Sequence, residues 1–206
     1  MKRYNAEIHS QTAIEAAISL QQSHGFQASE IESVDVDVFD VAHRTIGGGE
    51  EGDKTLVFTK EDADHSLPYL IAVALLDHEV MPDQFTEERI KRADVQSLLC
   101  RVSVHPVPDY SRRFPGEMPS RVTVTLTDRR VFTRALLDYR GFRSRPQTWD
   151  DAIEKFTVLS SRNASEKVIS SIANAVHHIE NKRVVELTRL LRDLGAPANA
   201  DAREAA

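Results

Sequence analysis

Residues 66–77 read SLPYLIAVALLD, a stretch that is almost entirely apolar and has a proline at its third position. Pro68 fits a helix only near its start, because proline lacks the amide hydrogen that an interior residue donates. The stretch therefore predicts a helix that begins close to Pro68. A helix that is apolar on every side is buried, so we expect this one to lie at the centre of the fold.

The residues before this helix predict one further helix and a strand. Residues 9–24 carry apolar side chains at helical spacing, and Gly25 is placed to end that helix. In residues 34–38, valine alternates with aspartate, as in a strand with one buried face. We expect the two aspartates to face water. The glycine-rich residues 45–53 lack the lysine and hydroxyl of a phosphate-binding loop, which favours a flexible turn.

The following residues predict more helices and a hairpin. Thr59 and Asp62 form a capping box before the apolar helix, and Thr86 heads another helical stretch. Residues 93–106 pass from helix into a strand that stops at Pro106. Residues 121–126 and 131–137 alternate around a polar turn, which indicates a hairpin. Residues 1–145 are thus predicted to form an α+β domain with a mostly antiparallel sheet.

After Pro146 the pattern becomes helical without strands. Thr148 and Asp151 cap a helix through Leu159, residues 168–179 form a second helical face, and a third helix runs from about Arg183 to Leu194 and stops at Gly195. We expect residues 146–195 to be C-terminal helices whose apolar stripes need a covering partner, and residues 196–206 to be a disordered tail.

Composition narrows the function classes. The chain has 206 residues and a formal net charge of −6, which argues against general binding of nucleic acid. Its single cysteine, Cys100, cannot form an internal disulfide, and it cannot build a cysteine-ligated zinc or iron–sulfur site without residues from another chain. The longest apolar run, residues 67–76, is far short of the ~20 residues of a membrane span. We therefore expect a soluble, cytoplasmic protein that does not contact membranes.

Two clusters of ionisable residues are candidates for chemistry. Lys2, Arg3, Glu7 and His9 lead into the first helix. The alternative is that they are solvated residues of a frayed terminus. The second cluster lies at the start of the apolar helix and comprises Asp62, Asp64, His65, Ser66 and Tyr69.

A buried helix start offers unpaired amides to a carboxylate, which makes the second cluster a candidate binding site. His65 and Tyr69 are four residues apart and are expected to share a helix face. The alternative is a plain N-cap with a satisfied histidine. A third set, Arg101, Arg112, Arg113 and Arg121, suits acidic ligands but also suits a solvated loop. His177 and His178 are adjacent and lack metal-pair spacing.

Five stretches resemble one family in the same order: KRYNAEIHSQTAIEAA, TKEDADHSLPYLIAVALLD, ERIKRADVQSLLCRVSV, MPSRVTVTLTD and DYRGFRSRPQTWDDAIEKF. They are similar to the C-terminal part of the MmgE/PrpD family, and ADHSLPYL and AEIHSQ are the most specific portions. The resemblance covers about Lys2 to Leu194. It implies a lid-type α+β domain over residues 1–145, followed by helices that complete a larger helical domain.

The resemblance implies a lyase that acts on small tricarboxylic acids and needs no cofactor or metal. It implies 2-methylcitrate dehydration in propionate catabolism, with a cis-aconitate decarboxylase, an epimerase or a non-catalytic binding or assembly domain as alternatives. It assigns catalysis to Lys2 and Tyr69, and substrate binding to Glu7, His9, His65 and Ser66. The implied partner is a helical-domain chain or N-terminal half, and the chain alone is expected to be inactive. The apolar stripes of the helices after Pro146 further predict pairing with a second copy in a homodimer.

Overall fold

The structure is a computed structural model that describes residues 1–50 and 52–192. The chain divides into two compact units, Met1–Pro146 and the residues from Gln147 onward. In the described residues, none of the helices combines the length and the apolar character needed to cross a membrane.

A four-stranded mixed sheet organises the first unit. Its strands are β1 (Ile31–Val38), β2 (Val102–Pro106), β3 (Ser120–Leu126) and β4 (Val131–Leu136). Their order is β2-β1-β3-β4, with β1 and β2 parallel and the other two pairs antiparallel. The predicted β3–β4 hairpin is confirmed.

The prediction of a mostly antiparallel sheet is wrong. A long run of helices separates β1 from β2, and such a crossover connection allows the two strands to run parallel. The alternation of valine and aspartate in β1 shows which face is buried, but it carries no information about the direction of the neighbouring strand. The first unit is α+β, as predicted, and its identification as a lid-type domain stays a prediction.

The described residues of the first unit also form seven α-helices. They are α1 (Gln11–His24), α2 (Asp40–Ile46), α3 (Lys60–Asp64), α4 (Leu67–Asp77), α5 (Glu87–Ile90), α6 (Ala93–Leu99) and α7 (Pro108–Arg113). Short 3-10 turns cover Ile8–Ser10, Ala28–Glu30 and Pro82–Phe85. Helix α1 ends at Gly25, whose φ of 68° lies in the left-handed region that glycine adopts without strain. The predicted end of the first helix is confirmed.

Helix α4 lies in the core, as its composition predicts. Every residue from Leu67 to Leu75 is buried. Helix α4 contacts α1, α6 and β2, while α1 also contacts β3 and β4. On β1, Val34, Val36 and Val38 are buried, whereas Asp35 is exposed and Asp37 is partly exposed. The helices therefore cover one face of the sheet and leave a polar face.

The second unit contains α8 (Trp149–Ser160), α9 (Glu166–His177), a 3-10 turn (Ile179–Asn181) and α10 (Val184–Arg192). The predicted capping box of Thr148 and Asp151 is confirmed at the start of α8. Several apolar side chains of this unit are exposed: Val158, Leu159, Val176, Ile179, Val184, Val185 and Leu191. The predicted end of the third helix at Gly195 and the tail at 196–206 lie outside the described residues.

Candidate functional site

The segment before α1 is fixed in place by Gln11, the last residue of the AEIHSQ stretch. The Gln11 side chain is fully buried. Its Oε1 accepts a hydrogen bond from the Tyr4 amide at 2.9 Å, and its Nε2 donates to the Tyr4 and Ala6 carbonyls at 3.3 Å each. A buried amide that satisfies backbone groups in this way holds in place a segment whose only regular element is the 3-10 turn at Ile8–Ser10. The interpretation of this terminus as frayed is therefore wrong from Tyr4 onward.

Glu7 and His9 form a close pair within this segment. One Glu7 carboxylate oxygen accepts the His9 amide hydrogen at 2.6 Å, and the other lies 2.8 Å from His9 Nδ1. The second contact has the distance of an ion pair but not the geometry of a hydrogen bond. The His9 ring packs edge-on against Phe39 and Phe114, with centroids 5.5 and 5.8 Å away. The structure thus places a carboxylate beside an imidazole, and the imidazole packs against the rings of Phe39 and Phe114.

Ser66 caps α4, so part of the second cluster is structural. Its hydroxyl accepts the Tyr69 amide hydrogen at 3.0 Å and donates to the Lys54 carbonyl at 2.5 Å. We predicted that the amides at the start of α4 bind an anion, but the Tyr69 amide already donates to Ser66 and Pro68 has no hydrogen to donate.

His65 does not share a helix face with Tyr69, in contrast to the prediction. His65 follows the end of α3 and its side chain is about half exposed, whereas Tyr69 lies in α4 and is fully buried. The chain breaks into two helices at His65 and Ser66 because the Ser66 side chain caps α4 there. Residues four apart lie on one face only within a continuous helix, and the break at His65 and Ser66 separates His65 from Tyr69.

The Tyr69 hydroxyl donates to the backbone carbonyl of Gln84. Burial raises the pKa of Tyr69 above its ordinary value, which keeps the phenol protonated. The connection between α4 and α5, residues 78–86, also accepts the Asn5 amide hydrogen at the Val80 carbonyl, at 2.9 Å. This connection therefore joins the N-terminal segment that carries Glu7 and His9 to the residue predicted as a hydroxyl donor.

An arginine that sequence analysis did not single out holds this connection. Arg89 binds both carboxylate oxygens of Asp77, at 2.6 and 2.9 Å, and one oxygen of Asp94 at 3.1 Å. The hydrogen bond to the Asp77 carboxylate raises the pKa of Arg89. The Gln84 side chain donates to Asp77 at 3.1 Å and accepts the Met81 amide hydrogen at 2.9 Å. The carbonyl that receives the Tyr69 hydroxyl is thus positioned by a charged network.

The third predicted set of arginines does not converge on one site. All four bind groups of their own chain: Arg101 donates to the Ile31 carbonyl, Arg112 and Arg113 both contact Asp109, Arg113 also pairs with Glu117, and Arg121 pairs with Asp37. The solvated-loop alternative is favoured for these residues. In the part of the chain that the structure describes, His, Cys, Asp and Glu side chains form no group of three or more that could hold a metal ion.

Lys2 is exposed at the start of the same segment. Its neighbour Met1 places its backbone nitrogen 2.6 Å from the Gly141 carbonyl, and Arg3 lies over the Tyr4 ring at 6.0 Å. The structure therefore places Lys2 beside the loop that follows β4. The roles of Lys2, Tyr69, Glu7, His9, His65 and Ser66 toward a substrate remain predictions.

Comparison with known proteins identifies a family match that covers most of the first unit and part of the second. The model of the MmgE/PrpD C-terminal domain matches residues 4–180, so Lys2 lies just before the matched range. The 2-methylcitrate dehydratase of Salmonella typhimurium is 29% identical over 168 residues, covering 77% of this chain and 34% of that protein. The cis-aconitate decarboxylase of Homo sapiens is 29% identical over 140 residues, covering 68% and 29%. The chain thus spans about a third of the length of these relatives.

Proposed function

Because the chain belongs to the MmgE/PrpD family, we propose that it forms the C-terminal part of a cytoplasmic lyase that dehydrates a small tricarboxylic acid, with 2-methylcitrate as the substrate. The observation that carries the proposal is the family match over residues 4–180, together with the dehydratase that covers 77% of the chain. The reaction would serve propionate catabolism. Cis-aconitate decarboxylation is the second candidate, since a relative with that name is equally similar.

The chemistry requires a base and nearby cations. In the dehydration, a base removes the proton from the carbon next to a carboxylate, the C–O bond to the hydroxyl breaks, and a C=C bond and water form. The charge that develops on the carboxylate side needs stabilising groups. In our proposal, Lys2 supplies a cation, and Glu7 and His9 bind the substrate beside the aromatic rings that His9 contacts. His65 and Ser66 bind at the edge of the pocket.

Tyr69 has a more constrained role in this scheme. Its one hydroxyl hydrogen is donated to the Gln84 carbonyl, so the phenol must exchange that acceptor for the substrate in order to act as a donor. Its raised pKa supports a donor role, because the proton is retained at neutral pH. Substrate binding would therefore include a shift at residues 78–86.

In our proposal, the active site also needs residues from another part of the enzyme, so this chain alone does not form a complete site. The exposed apolar side chains of α8, α9 and α10 support a partner surface, either a helical domain or a second copy in a homodimer. Light scattering on the purified chain tests self-association. A dimer that dissociates when the residues from Gln147 onward are removed would support the homodimer, and a monomer at all concentrations would contradict it.

A chimaera tests the activity. In it, residues 1–192 of this chain replace the matching third of the Salmonella typhimurium dehydratase, and the chain alone serves as the comparison. We expect 2-methylcitrate dehydration by the chimaera and none by the chain alone. Release of carbon dioxide from cis-aconitate would instead favour the second candidate. A folded chimaera without either reaction would favour a binding or assembly domain.

A further inference from the structure

Both oxygens of the Glu7 carboxylate face His9. One accepts the His9 amide hydrogen at 2.6 Å, and the other lies 2.8 Å from His9 Nδ1. The first contact caps the 3-10 turn at Ile8–Ser10, so the carboxylate cannot rotate away from the imidazole without losing that cap. Glu7 therefore keeps a carboxylate oxygen beside one particular nitrogen of the ring.

The imidazole of His9 is also held by two aromatic rings. Its edge-on contacts with Phe39 and Phe114 join three rings, because Phe39 and Phe114 are themselves stacked with centroids 4.5 Å apart. Close packing of this kind restricts the orientation of a side chain. The structure thus fixes both members of the Glu7–His9 pair.

A ligand reaches the imidazole of His9 through Nε2 rather than Nδ1. Nδ1 is a buried atom, whereas the His9 side chain as a whole is 19% exposed. The exposure therefore comes from the other side-chain atoms, and Nε2 is the one nitrogen among them. A substrate group that contacts a ring nitrogen must consequently contact Nε2.

The Glu7 carboxylate also decides which ring nitrogen carries the proton when His9 is neutral. A neutral imidazole has one N–H group and one nitrogen lone pair. A lone pair on Nδ1 would be repelled by the carboxylate oxygen 2.8 Å away, whereas an N–H group is attracted to it even without ideal alignment. The proton therefore stays on Nδ1, and the lone pair lies on Nε2, the nitrogen that a ligand can reach.

We propose that His9 is the base of the dehydration and that Glu7 is its positioning residue. This inference rests on the proposed function and deepens it, because that reaction needs a base. The C–H bond next to a substrate carboxylate breaks, the proton moves to Nε2, and the electron pair forms the C=C bond as hydroxide leaves. The proton and the hydroxide together account for the water that is released. The Glu7 carboxylate stabilises the imidazolium that forms in this step.

The first test is the tautomer of His9 in the full chain, read from the ¹⁵N chemical shifts of its two ring nitrogens at a pH where the ring is neutral. We expect the proton on Nδ1. In Glu7→Gln the amide oxygen still accepts the His9 amide hydrogen, so the NH₂ group faces Nδ1 and the proton should move to Nε2.

A second carboxylate–imidazole pair supplies the control. His105 Nε2 lies 3.0 Å from Asp35, so the carboxylate faces the opposite ring nitrogen and favours the opposite tautomer in the same spectrum. Asp35→Asn removes that carboxylate on the polar face of the sheet and should leave the His9 tautomer unchanged. Circular dichroism and a thermal melt establish that each variant is folded.

The second test is turnover by the chimaera. Glu7→Gln should lower kcat by ~10²-fold and change KM little, because the substrate then meets an Nε2 without a lone pair. Asp35→Asn should change neither constant. A proton on Nε2 in the unmodified chain, a tautomer that does not change in Glu7→Gln, or an unchanged kcat in the Glu7→Gln chimaera would each overturn the proposal.

The failure of this inference is distinguishable from that of the proposed function. An active chimaera in which His9 carries its proton on Nε2 would refute the role of Glu7 and His9 alone. A proton on Nδ1 that moves in Glu7→Gln, together with a folded but inactive chimaera, would refute the lyase activity and the base with it, and would leave Glu7 as the residue that sets the His9 tautomer.

Discussion

The side chain of Gln11 binds the backbone of Tyr4 at both its amide and its carbonyl, as a neighbouring β-strand would. This arrangement fixes the chain just before the 3-10 turn at Ile8–Ser10, to which Glu7 and His9 belong as the N-cap and the middle residue. Since Gln11 is the first residue of α1, the candidate site is fixed to a helix that packs against the sheet.

Replacing Gln11 with alanine should destabilise the chain by ~1–3 kcal/mol, because the Tyr4 amide and carbonyl lose their buried partner. Urea denaturation measures the loss. Gln22→Ala is the control, since Gln22 is an exposed residue of the same helix. Hydrogen exchange at the Tyr4 amide should also become faster in Gln11→Ala. Equal stability of the two variants would show that Gln11 does not anchor the segment.

Removing Arg89 should disturb the connection between α4 and α5. The Arg89 side chain is 11% exposed, and its loss leaves Asp77 with an unpaired, partly buried charge. We expect Arg89→Ala to lower the free energy of unfolding by ~2 kcal/mol or more. Lys91→Ala, which breaks an exposed ion pair with Glu87, should have a much smaller effect. A similar loss in both variants would contradict the proposed role of Arg89.

The sequence predicts most elements of the first unit because their signals are local. The apolar run from Leu67 to Leu75 requires burial, Gly25 ends a helix, and the alternation in residues 34–38 defines a strand face. The parallel β1–β2 pair could not be predicted in the same way. Strand direction depends on how the intervening helices cross the sheet, and no local pattern encodes that path.

The candidate site was harder to predict for the same reason. Gln11 and Arg89 act through partners 7 and 12 residues away, and neither distance is the three or four residues at which side chains of one helix contact each other. His65 was placed on the wrong surface because a single serine cap separates α3 from α4.

Tyr4 should make stability fall at alkaline pH. Burial, reinforced by the Glu15 charge, raises its pKa from 10.0 to about 12. Between these values the unfolded chain loses the proton while the folded chain keeps it, so the free energy of unfolding decreases as pH rises. Tyr4→Phe should reduce this decrease and should remove a tyrosinate absorbance step near pH 12. An absorbance titration that is identical in both proteins would contradict the raised pKa.

Tyr69→Phe separates the structural role of Tyr69 from its proposed catalytic one. The substitution removes one hydroxyl and leaves the buried Gln84 carbonyl without its donor, so we expect a loss of ~1–2 kcal/mol in stability. Tyr139→Phe is the matched control, since Tyr139 is also a buried tyrosine of the first unit whose pKa is raised by burial. In the chimaera, kcat should fall by ~10²-fold in Tyr69→Phe if the phenol donates to the substrate in the transition state, and should change little in Tyr139→Phe. A folded Tyr69→Phe chimaera with unchanged kcat and KM would instead restrict Tyr69 to holding residues 78–86 in place.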